Sequence, residues 1–114
     1  MKYALIFTSS RLLEGVLQLT VEQLKRQCLV AREERELLTL LQNKKISLLL
    51  VDDHNFRLLA AKLTEGDLLD NKTTIVFYRK GSTVADLIAQ YGIPTFEIPV
   101  PMNEIKQFIK TYIK

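Results

Sequence analysis

The chain has 114 residues, 47% of them hydrophobic and 25% charged, enough for one packed core and outside the range of disordered chains. Its formal charge of +3 comes from 16 basic and 13 acidic side chains, spread over both halves, which argues against a basic stripe for nucleic acid. Apolar runs such as Leu48 to Val51 are far too short to span a bilayer.

The N-terminus carries one Lys and a short apolar stretch from Tyr3 to Phe7, with no small-residue cleavage site, so it does not read as a signal peptide. The single cysteine, Cys28, excludes an internal disulfide framework and fits a reducing compartment. The expected location is the cytoplasm.

Five apolar runs are predicted as strands: Tyr3–Thr8, Gln27–Ala31, Ile46–Val51, Thr73–Tyr78 and Thr95–Ile98. Three of them (ALIF, SLLLV, TIVF) are continuously apolar, as strands buried on both faces of a parallel sheet are. Helical periodicity fills the intervals. Leu13, Val16, Leu17 and Leu24 share one face of the first helix, and Leu37, Leu40 and Leu41 one face of the second. The third helix is expected over Phe56 to Leu63, broken by Gly66 and Asp67. The fourth opens with a capping box, Thr83-x-x-Asp86, and stops at Gly92 ahead of Pro94. The last, from about Asn103 to Lys114, turns Ile105, Phe108, Ile109, Tyr112 and Ile113 inward.

This alternation predicts right-handed βαβ units and a single α/β domain over residues 1–114. The expected architecture is a flavodoxin-like three-layer sandwich around a five-stranded parallel sheet, order 2-1-3-4-5. Ligands in such folds bind beyond the carboxyl ends of the strands, where strand order reverses. The first strand delivers Thr8, Ser9 and Ser10 there, and the third delivers Asp52, Asp53, His54 and Asn55. The fourth and fifth add Tyr78, Arg79 and Lys80, and Ile98 and Pro99.

With those residues in place the chain resembles a response-regulator receiver domain, most clearly in "CLVAREERELLTLLQNKKISLLLVDD" and "FEIPVPMNEIKQFIKTYIK". The resemblance implies a phospho-accepting Asp at the end of the third strand, where Asp52 stands. It also makes Ile98-Pro99 a candidate cis peptide. Receivers bind Mg²⁺ through two acids after the first strand, where this chain has Thr8, Ser9 and Ser10. Tyr78 occupies the place of the phosphoryl-binding Thr or Ser, and Ile98 that of the Lys. Loss of metal and cation removes most of the charge stabilisation of phosphoryl transfer. A degenerate, pseudo-receiver type without metal or cofactor is therefore expected, a regulatory module and not an enzyme.

Three rivals stay open: an atypical receiver phosphorylated at Asp52, a small-ligand domain using the Thr8–Ser10 and Asp52–Asn55 crevice, and, third, a nucleic-acid adaptor. Flavin binding is disfavoured, since no Gly precedes Gly15 for a phosphate loop and the chain has no Trp. Arg79 and Lys80 are candidates to pair with Asp52 or Asp53 in place of the absent metal. The resemblance implies a protein partner or effector domain, or a homodimer through the face of the fourth helix, fifth strand and fifth helix. That face would offer Tyr91, Phe96, Val100 and the basic edge of Lys106, Lys110 and Lys114.

Overall fold

A computed structural model describes residues 2–61, 72–82 and 89–112. Five parallel strands, β1 (Tyr3–Phe7), β2 (Gln27–Val30), β3 (Ile46–Asp52), β4 (Thr73–Arg79) and β5 (Thr95–Ile98), form one sheet in the order β2-β1-β3-β4-β5. This is the expected flavodoxin-like order. It reverses between β1 and β3, where Phe7 lies beside Val51.

Because side chains alternate along a strand, the central strands feed two cores at once. Leu5, Phe7, Leu49, Val51 and Val76 face one side, where α2 (Glu34–Asn43) and α3 (Asp53–Ala60) cover them with Leu37, Phe56 and Leu59. Ala4, Ile6, Leu48, Leu50, Ile75 and Phe77 face the other, beneath Leu13, Leu17 and Val21 of α1 (Arg11–Gln23) and Ile105 and Ile109 of α4 (Met102–Tyr112). This is why those strands read as unbroken apolar runs: both faces are buried. The edge strands β2 and β5 have no fully buried residue.

Local chemistry sets the element boundaries. Ser10 caps α1, its Oγ accepting the Leu13 N–H at 3.2 Å. The helix ends with Lys25 at φ 59°, and the Arg26 N–H returns to the Val21 carbonyl at 3.2 Å. That bond closes a Schellman-type turn. The third helix begins at Asp53, three residues before the expected Phe56, because Asp52 caps it directly and no loop intervenes.

Residues 89–91 are helical and stop at Gly92, whose φ of +66° suits glycine. The expected capping box at Thr83 and Asp86, the break at Gly66 and Asp67, and the final Ile113 and Lys114 lie outside the described residues. The Ile98-Pro99 peptide is cis. Among the described residues no helix is long and apolar enough to cross a membrane.

Candidate functional site

At the switch point β3 runs straight into α3, and the residue at the junction is Asp52. Its carboxylate bridges two elements. Oδ1 accepts the Asn55 N–H at 2.8 Å, capping α3. Oδ2 accepts both the N–H of Ser9 at 2.8 Å and its hydroxyl at 2.5 Å. Asp52 is only 3% exposed, so its charge is met by these three donors and not by water. Both oxygens are engaged within the protein.

The receiver resemblance implies Mg²⁺ beside this carboxylate, which makes the hydroxyl triplet the test of fit. Thr8 donates its hydroxyl to the Ser10 carbonyl at 3.0 Å, Ser9 donates to Asp52, and Ser10 accepts from Leu13. Each hydroxyl has a protein partner, and none carries the charge that a hard dication favours. Asp53 is buried, and its Oδ1 accepts the His54 N–H at 3.0 Å. Among the described residues no three His, Cys, Asp or Glu side chains gather where they could hold a metal ion. The residues present do not fit Mg²⁺.

The remaining rim residues divide. Asp53, His54 and Asn55 form the first turn of α3, ahead of the expected start at Phe56. His54 is exposed there. Tyr78 packs with the core under α2 and α3, while Ile98 packs with the opposite core under α1 and α4. The two are thus drawn to opposite faces of the sheet, and Pro99 beyond Ile98 is exposed. The expected pairing of Arg79 or Lys80 with the aspartates does not occur: among the described residues neither cation is ion-paired to Asp52 or Asp53. Asp52 already has its partners, and Arg79 and Lys80 lie exposed at the end of β4.

Cavities lined by described residues open on this rim. One, of about 280 Å³, lies over the end of β1 and is lined by Thr8, Ser9, Arg11, Glu14, Arg32 and His54 among others. The second, of about 250 Å³, is lined by Asp53, His54, Arg57, Arg79, Gly81 and Ser82. Asp52 lines neither.

Sequence reasoning missed the Glu14–Arg32 pair. The Arg32 fork donates Nε to Oε1 at 3.3 Å and Nη2 to Oε2 at 3.1 Å. This contact raises the Arg32 pKa, through the hydrogen bond first and the charge of Glu14 second. The available signal was an acid set between Leu13 and Leu17 on the inward face of α1. Cys28 is half-buried, and burial, then the charge of Glu22, pushes its thiol up to about 11. It is not an activated nucleophile.

The interface candidates also divide. Tyr91 sets its ring edge-on to Phe56, centroids 6.2 Å apart, on the α2–α3 side. Phe96 lies between Phe77 and Phe108 on the other side, at 6.1 and 4.8 Å, with Val100 in the same cluster. Lys106 is half-buried and Lys110 exposed, one turn apart on α4.

No protein-family model matches the chain, and no curated protein matches it in sequence. Solved structures do match in fold. A response regulator from Thermotoga maritima superposes with a TM-score of 0.75 at 17% identity, covering 99% of this chain and 98% of that one. A CheY-like receiver domain protein from Methanospirillum hungatei JF-1 gives 0.71 at 17% identity, covering 97% and 92%. The constitutive lysine decarboxylase of E. coli gives 0.70 at 14% identity, covering 98% of this chain and only 17% of that one. The chain has the response-regulator receiver fold over nearly its whole length, and the same fold occurs as a small part of a much larger enzyme.

Proposed function

We propose that this domain is a pseudo-receiver: a regulatory module that acts through protein contact, without Mg²⁺-dependent phosphotransfer and without turnover of its own. The observation that carries the reading is the state of Asp52. In a working receiver this carboxylate must be available to attack a phosphoryl donor while a metal and a cation offset the developing charge. Here both oxygens accept hydrogen bonds from Ser9 and Asn55. The positions that would bring metal and cation hold Ser9 and Ile98 instead, and Ile98 packs, half-buried, against the core.

The partner is a protein or effector domain met on the β5–α4 side, where the half-buried Phe96 and Val100 lie beside the basic edge of Lys106 and Lys110. Aromatic and aliphatic groups flanked by charge suit such a contact. A second copy of the chain meeting the same face is the alternative partner. The free thiol of Cys28 fits the reducing cytoplasm.

Beryllofluoride with millimolar Mg²⁺, a mimic of the phosphorylated aspartate, tests the reading by amide NMR. The expected result is no Mg²⁺-dependent shift change at Ser9 or at Asp52 to Asn55. Saturable changes centred on Asp52 would overturn it and restore a phosphorylated receiver.

A further inference from the structure

The second cavity has a composition that the contact-only reading does not use. Among the described residues, Arg57 and Arg79 line it with His54, Gly81, Ser82 and one acid, Asp53. The Arg79–Ser82 turn builds its far wall. The Ser82 N–H donates to the Arg79 carbonyl at 3.0 Å, and Gly81 at φ +89° supplies the third position. A type II turn requires positive φ there. Space is not what demands the glycine, since a Cβ would meet nothing within 4 Å.

The first cavity makes the contrast. Its Arg32 is committed to Glu14 through a two-bond fork, so that cation is already spent. In the second cavity Arg57 makes an interaction within the chain, whereas Arg79 is exposed and has no ion pair among the described residues. A guanidinium fork matches the oxygens of a phosphate better than any other side chain.

We propose that the cavity between the start of α3 and the Arg79–Ser82 turn binds a phosphate or diphosphate group of a small molecule, held by Arg79, Arg57, His54 and Ser82. At about 250 Å³ it falls below the ~300–1,000 Å³ of pockets that enclose a drug-sized ligand. The anionic group is therefore held inside and the rest of the molecule lies outside. The site is separate from Asp52 and independent of Mg²⁺, so it stands whether or not the pseudo-receiver reading does.

Amide NMR on the full chain, at fixed pH and ionic strength without Mg²⁺, provides the test. Inorganic phosphate and pyrophosphate are titrated in separate arms. The expected result is saturable shifts at His54, Arg57, Arg79 and Ser82 in both, with pyrophosphate the tighter of the two. Arg79→Gln weakens binding at least about tenfold, Arg79→Lys restores part of it, and Lys45→Gln at the opposite end of β3 leaves it unchanged. The proposal is overturned if neither anion saturates these residues, if shifts centre on other cations, or if Arg79→Gln binds as the parent does.

Discussion

Asp52 illustrates how one side chain can be structural on two elements at once. Replacing it by Ala removes the N-cap of α3, which costs about 1 kcal/mol. It also leaves the Ser9 donors at the β1 end without their acceptor, for about another 1–3 kcal/mol. A total loss of about 2–4 kcal/mol is expected in urea unfolding, with Asp52→Asn in between because the amide keeps one acceptor oxygen. Ser9→Ala deletes the hydroxyl but keeps the N–H donor, so about 1 kcal/mol is expected. The double variant Ser9→Ala, Asp52→Ala should cost less than the two single losses together. Additivity within about 0.5 kcal/mol would show that the bridge carries no energy. The place of Asp52 was legible because a continuously apolar strand ends on it. The engagement of Ser9 was not, since no spacing rule links residues 43 positions apart in the chain.

Between elements, the Glu14–Arg32 pair fastens α1 to the start of the β2–α2 connection, and its two ends are unequal. The Glu14 side chain is 8% exposed and that of Arg32 56%. Arg32 also donates its backbone N–H to Glu36 Oε1 at 2.7 Å, which holds the connection against the first turn of α2. Removing Arg32 leaves a buried carboxylate without its cation, whereas removing the charge of Glu14 leaves a solvated guanidinium. Arg32→Ala is therefore expected to destabilise the chain more than Glu14→Gln does. Chemical denaturation of the two variants decides this, and an equal or reversed order would contradict it. The apolar faces of α1 and α2 were readable from their periodicity because burial imposes it. The start of α3 was misplaced for a related reason: the first turn is polar (Asp53, His54, Asn55) and is fixed by the Asp52 cap and not by an apolar stripe.

At the scale of the whole molecule, the sheet is a stack of unequal strands. β1, β3 and β4 lie within it and are almost wholly buried, whereas β2 and β5 each have a single paired neighbour and are half covered. The order 2-1-3-4-5 was legible only as the usual arrangement of five alternating βα units, and the strands agree with it: the inner ones lack polar alternation, and the outer ones carry Gln27 and Glu97. Which face each rim side chain takes was not, because Tyr78 and Ile98 both read simply as apolar at a strand end. The same inequality predicts a gradient of stability. Amides of Leu49 and Leu50 in β3 sit between two strands and two cores, so they exchange only when the whole domain unfolds. Hydrogen-bonded amides of β2 and β5 can exchange by peeling one edge, at free energies lower by about 2 kcal/mol. Exchange measured against low denaturant should give β3 a slope near that of global unfolding and β5 a slope near zero. If β5 proved as protected as β3, its edge would not be the deformable side of the sheet. A partner meeting Phe96 there would then find a rigid surface, and a contact-driven change could not spread from β5 by local opening.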